Sequence, residues 1–307
     1  MSRSATITAQ LTSPGRHATG RDILAVAPLV LLPLGTYLFA VHQPPWQLIW
    51  LFASSIYAGL KWLTFATCPQ APQAPFTRVL AYLLLWPGMN ATAFLNSHSP
   101  ATRPTFRELL SALLKTATGA TLAFVAPALL LPASPLAAGW IAMTGLLLTL
   151  HCGLFHVLSI AWRFAGIDAK PIVRAPLLAS SLTDFWGRRW NLAFRDLAHH
   201  YVFRPLASRL GIAGATMTVF LLSGIVHDLV ISVPVNAGFG WPTIYFLLQG
   251  IALLAERSRL GQHLGLGRGW TGRAFAALVV LAPLGLLFHQ AFVLQGVLPT
   301  IIAIRGR

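Results

Sequence analysis

The sequence predicts an all-α protein that crosses a lipid bilayer many times. Three observations predict it. Of 307 residues 56% are hydrophobic and 9% charged, and the mean hydropathy is +0.68. Apolar stretches of about 20 residues, the length a helix needs to span a bilayer, recur from Ile23 almost to the end. The connections between them also alternate between uncharged and basic, as the positive-inside rule requires of a polytopic protein. Soluble domains carry about a quarter charged residues, so a water-facing fold is excluded.

Residues 1–22 are polar, with Arg3, Arg16 and Arg21, and lack the apolar core of a signal peptide before Ile23. They are expected to form a flexible cytoplasmic tail, and 23–307 a single membrane domain. Four connections hold no Lys or Arg: 42–45, 132–135, 234–238 and 289–290. Placing these outside yields eight spans near 23–41, 46–66, 108–131, 137–160, 211–233, 240–256, 271–288 and 291–304, with both termini cytoplasmic. A ninth stretch, 79–95, contains Trp86-Pro87-Gly88 and would invert this order if it crossed. It is read as re-entrant or interfacial. A single tilted helix is the alternative for the last two spans, because the break at His289 is short.

The net charge of +15 is spread between apolar runs rather than over one aromatic-basic surface. That points to topology and anionic lipid instead of nucleic acid. Arginines beside a membrane tunnel would also suit a phosphorylated carrier. Cys68 and Cys152 lie in or near apolar runs, so no disulfide framework is expected. The arginine-heavy, lysine-poor usage fits a GC-rich bacterial genome and hence an inner membrane.

Between the fourth and fifth spans, 163–210 is the longest stretch too polar to cross. Trp190, Phe194, Leu197 and Tyr201 repeat at spacings of four, three and four, as in an amphipathic helix lying on the membrane. Lys170, Arg174, Arg188, Arg189, Arg195 and Arg204 would then line the cytoplasmic entrance to the bundle. Asp184, Trp186, Arg188, Arg189 and Trp190 are candidate substrate contacts, and an Asp184–arginine ion pair holding the turn is the competing reading.

His227 and Asp228 sit inside an apolar run, where ionisable groups are costly and usually face a cavity or a partner. Ser223 lies four residues before His227, on the same helix face. Asp228 is rotated by about 100° from His227, a poor position for a triad acid, and is expected to pair with an arginine elsewhere. An imidazole suits abstraction of an alcohol proton near neutral pH. His151 and His156 have the spacing of one box of a di-iron desaturase, but the further histidine boxes such a centre needs are missing. Inter-helix hydrogen bonding is their expected role, and no metal is expected. The His-His-x3-Asp-Gly motif of soluble-type wax ester synthases and the spaced aspartates of prenyltransferases are absent as well.

Two motifs carry a resemblance. Ser181-Leu-Thr-Asp-Phe-Trp-Gly-Arg-Arg-Trp-Asn191 resembles the signature of plant-type wax synthases, a branch of the membrane-bound O-acyltransferase superfamily. Ser223-Gly224 before His227-Asp228 resembles the second signature, with Asp where many relatives have Glu. The likeness is firm over 176–234 and looser at 57–66 and 82–90. It implies a helical bundle of that superfamily, His227 as catalytic histidine and Asn191 as the accompanying asparagine, with Ser223 in the substrate site. It also implies acyl transfer from acyl-CoA, a co-substrate beside which no cofactor is needed, to the hydroxyl of a lipophilic alcohol. A terpenoid, sterol or other small hydroxyl compound is the alternative acceptor. Outside the enzymes, a transporter with its polar site at Ser223, His227 and Asp228 is the rival reading.

Overall fold

The computed structural model describes residues 20–96 and 100–306; residues 1–19 of the expected N-terminal tail lie outside the described residues. The described chain is helical. Six helices are long and apolar enough to cross a membrane by length and composition: Ile23–Ala40, Pro45–Ala66, Phe106–Leu130, Pro135–Phe164, Leu192–Val235 and Gly269–Leu287. We number the main helices α1 (Gly20–Ala40), α2 (Pro45–Ala66), α3 (Phe76–Leu85), α4 (Phe106–Leu130), α5 (Pro135–Phe164), α6 (Leu192–Val235), α7 (Trp241–Arg257), α8 (Gly269–Leu287) and α9 (Gln290–Arg305). The protein is thus an all-α, multi-pass integral membrane protein.

Each expected span coincides with a helix, but two of the eight fall short of crossing length. α7 has 17 residues and includes Gln249, Glu256 and Arg257, and α9 is a short apolar helix. Residues 79–95 do not form one helix. α3 ends at Leu85, residues 86–90 are non-helical, and a short helix runs Ala91–Leu95. Pro87 dictates the break, since the residue before a proline is pushed out of the helical region, and Trp86 is extended at φ −122°, ψ 117°. The last two helices are separate, because His289 has extended backbone and starts a new helix by accepting the Phe292 N–H at its Nδ1, 3.3 Å.

Helix starts follow the local sequence. Pro45 and Pro135 occupy first-turn positions, where a missing N–H costs nothing. Ser134 and Thr105 cap α5 and α4 by accepting the backbone N–H of Ala137 and Glu108. Small residues let the helices approach closely. A Cβ at Gly145 would strike the backbone of Leu122 and Ala123, so α5 lies directly on α4. A Cβ at Gly224 would come within 2.6 Å of Thr243 Cα, so α6 lies directly on α7.

α6 is two pieces. Gly211, at φ 67° and ψ 176°, interrupts it, a conformation open in practice to glycine alone. The first piece buries Leu192, Ala193, Leu197 and Ala198 and corresponds to the expected amphipathic helix, except that Trp190 stays outside it. Two groups of buried apolar residues fill the bundle. One gathers around Phe220, Phe246, Val293 and Ile301, the other around Tyr82, Trp86, Phe94 and Ile172.

Candidate functional site

Between the two groups lies a cavity of about 1020 Å³. Phe220, Phe246 and Leu253 border it from the first, and Trp86, Ile172 and Ala193 from the second. The tryptophan-arginine motif straddles it. Trp186 packs edge-on to Phe220 at 5.7 Å, while Trp190 stacks on Phe185 at 5.8 Å and on His151 at 6.1 Å. Both indoles border the cavity, and Trp186 Nε1–H donates to Gln249 Oε1 at 3.3 Å.

His227 and Asn191, far apart in the chain, border the same cavity. His227 Nδ1 lies 2.7 Å from the Ser223 carbonyl oxygen. A carbonyl only accepts, so Nδ1 carries the proton and Nε2 keeps a lone pair. The ring is held on its other side by Phe246, with centroids 4.4 Å apart. Ser223 is buried, borders the cavity and donates its hydroxyl to the Val219 carbonyl at 2.8 Å. Asn191 has left-handed backbone, φ 40° and ψ 59°, and caps the first piece of α6 by accepting the Phe194 N–H at Oδ1, 3.3 Å. Asparagine tolerates that conformation better than other side-chain-bearing residues.

Asp228 pairs with no arginine among the described residues, contrary to expectation. Its Oδ1 accepts from the Gly240 N–H at 2.8 Å and the Ser232 hydroxyl at 3.0 Å. Its Oδ2 accepts from the Thr243 N–H at 3.1 Å and, in a short bond, from the Thr243 hydroxyl. Asp228 therefore caps α7, where the unpaired N–H groups and the helix dipole favour a carboxylate. A wide π-type turn over Asp228–Ser232 brings Ser232 beneath it.

Asp184, Arg188 and Arg189 do not border the cavity. Asp184 Oδ2 accepts from Arg189 Nε at 2.6 Å and from the Ser180 N–H at 3.0 Å, and Arg189 also donates to the Ala175 carbonyl at 3.1 Å. This is the ion pair that holds the turn. Arg188 is exposed. Burial acts to raise the Asp184 pKa, but the Ser180 and Arg189 hydrogen bonds outweigh it and hold the carboxyl below its ordinary value. Of the arginines expected to line the entrance only Arg195 borders the cavity. Arg257, which the sequence reading passed over, does so too and donates to Thr183 Oγ1 at 3.2 Å. Its position follows from Glu256, whose buried carboxylate accepts the Leu182 and Thr183 N–H groups and ties the end of α7 to the motif.

His156 makes the inter-helix contact foreseen for it, with Glu108 Oε1 at 2.9 Å, and Arg163 pairs with the same oxygen. His151 does not: its Nδ1 is buried without a partner, and the residue borders the cavity. The wall opposite is secured by Tyr57, which donates to the Trp86 carbonyl at 3.0 Å. Buried Lys61 donates to the Gly88 carbonyl at 2.6 Å and lies over the Tyr82 ring. Partners that are backbone carbonyls leave no mark in a sequence, which is why this wall was not foreseen.

Residues 169–248 match the Membrane bound O-acyl transferase family. The chain is similar to "Long-chain-alcohol O-fatty-acyltransferase" of Simmondsia chinensis, 34% identical over 30% of this chain and 28% of that protein. It is similar to "Probable long-chain-alcohol O-fatty-acyltransferase 9" of Arabidopsis thaliana, 30% identical over 43% of each. "Acyl-CoA--sterol O-acyltransferase 1" of the same plant is 32% identical over 30% of this chain and 29% of that protein. The matches thus span less than half the length of these curated relatives. The family match covers the region that holds both motifs. Over residues 169–248 this chain is therefore similar to the Membrane bound O-acyl transferase family, and the relatives it resembles are plant proteins named as long-chain-alcohol or sterol O-acyltransferases.

Proposed function

We propose that this protein is a membrane O-acyltransferase that moves an acyl group from acyl-CoA to the hydroxyl of a long-chain or other lipophilic alcohol. The observation that carries the reading is the shared cavity of His227 and Asn191, with Nδ1 of His227 committed to the Ser223 carbonyl. That tether presents an imidazole lone pair, the form a general base needs. Names of similar proteins in which the acceptor is a long-chain alcohol or a sterol support the choice of acceptor.

In this reading the CoA phosphates rest near Arg195 and Arg257, and the apolar cavity takes the acyl chain. His227 Nε2 removes the alcohol proton, and the oxygen attacks the thioester carbonyl carbon. Asn191 orients the thioester through its carboxamide. The carbon–sulfur bond breaks, and the proton on His227 passes to the CoA sulfur, leaving an ester and CoA thiol. Transfer is direct, because the Ser223 hydroxyl is engaged by the Val219 carbonyl, and no cofactor takes part. The residues work from the cytoplasmic side of a bacterial inner membrane. CoA-thiol release by the purified protein, supplied with long-chain acyl-CoA and alcohol, tests the reading. His227→Ala is expected to lower it at least a hundredfold, on the scale of general-base catalysis, and unchanged release would remove His227 from the mechanism.

A further inference from the structure

Besides His199, on the amphipathic first piece of α6, two histidines border the cavity, His151 on α5 and His227 on the second piece of α6. They offer opposite chemistry. His227 spends its N–H on the Ser223 carbonyl and keeps a lone pair. His151 Nδ1 is sealed from solvent and lacks a partner among the described residues. A buried N–H without an acceptor is rarer in proteins than a buried acceptor without a donor, so the His151 proton belongs on Nε2. Nε2, which is not sealed as Nδ1 is, then carries the N–H donor of a residue that borders the cavity.

Packing gives no reason for a histidine there. The ring stacks on Trp190, with planes 14° apart, and meets Phe155 at 5.3 Å. A phenylalanine would make both contacts. Trp190, on which the ring stacks, immediately precedes Asn191, the residue assigned to the thioester, and all three border the cavity. We propose that His151 Nε2–H donates a hydrogen bond to the carbonyl oxygen of the acyl thioester, and strengthens it as negative charge gathers on that oxygen. The inference rests on the acyl-transfer reading. When the alcohol oxygen bonds to the carbonyl carbon and its proton moves to His227, the carbonyl electron pair shifts to the oxygen facing His151. The pair returns as the carbon–sulfur bond breaks. His151 keeps its proton throughout.

Three readouts test this on the purified full-length protein: turnover, binding of ¹³C-carbonyl acyl-CoA without alcohol, and the infrared carbonyl band of that bound thioester. His151→Phe preserves the stack and removes the donor. It is expected to lower kcat about a hundredfold, as removal of one oxyanion donor does elsewhere, and to shift the carbonyl band to higher frequency with acyl-CoA binding retained. His151→Gln should recover part of both. His227→Ala should abolish turnover while leaving the band where the unmutated protein has it. A His151→Phe protein with an unchanged kcat or an unchanged band overturns the assignment and leaves His227 as base intact. Failure of the unmutated protein to bind acyl-CoA overturns both readings.

Discussion

Asp228 fixes a helix end beside the proposed base, and its four hydrogen bonds make it a structural residue. Asp228→Ala would leave the Gly240 and Thr243 N–H groups without acceptors, at a cost on the order of 3 kcal/mol. A clear fall in thermal stability in detergent would register it. Asn191 separates geometry from chemistry. Asn191→Gly keeps the left-handed backbone and should cost only a few tenths of a kcal/mol in stability, yet greatly reduce acyl transfer. Asn191→Ala should add about 1 kcal/mol of backbone strain. Comparing melting temperatures with kcat distinguishes the two effects, and an active Asn191→Gly protein would remove the carboxamide from the mechanism. That His227 and Asn191 would share a site was legible in the sequence, because a polar residue in an apolar run, or closing a recognisable motif, has few innocent explanations, and both border one cavity. The capping role of Asp228 was not legible. The N–H groups it caps, of Gly240 and Thr243, lie beyond the next turn, and any residue type but proline supplies those.

Among the elements, α6 depends on two glycines for different reasons. Gly211 turns the chain from the amphipathic piece into the span, and Gly211→Ala should cost about 1–3 kcal/mol, because its backbone conformation excludes side chains. Gly224 permits contact with α7 one turn before His227. Gly224→Leu should force the helices apart, destabilise by about 1–3 kcal/mol and reduce turnover through a displaced His227. Activity and melting temperature should therefore fall together, unlike in Asn191→Gly. The Asp184–Arg189 turn has its own pH signature. Its carboxyl pKa is lowered, so the stabilisation is complete above the ordinary carboxylate value of about 4. It is lost only as pH falls through the depressed folded value. Tryptophan fluorescence from Trp186 and Trp190 should hold steady from pH 7 to about 4 and change below that, and Asp184→Asn should remove the step. Helix positions were legible because apolar length and proline punctuation set them. The 17-residue length of α7 was legible too, but not that its polar residues Gln249 and Glu256 serve partners on α8 and in the motif.

For the whole molecule, two of the uncharged connections meet: Gly238 packs against the His289 ring, and Ser232 lies 3.4 Å from its Nε2. That agrees with a shared membrane face, which the proposed orientation makes the outer one. Reporter fusions should place 236–240 outside and 258–268 inside; the reverse result would invert the proposed orientation. Acid groups act at this scale too. Glu108, Asp184, Asp228 and Glu256 are each bound to backbone N–H groups or to basic side chains, and no described Asp or Glu borders the cavity. An alkylamine is cationic at neutral pH and would have to shed its proton to enter a chamber that holds no counter-ion for it. A fatty alcohol of equal length enters neutral. In the proposed reaction the bundle would therefore select oxygen over nitrogen nucleophiles before any bond is made.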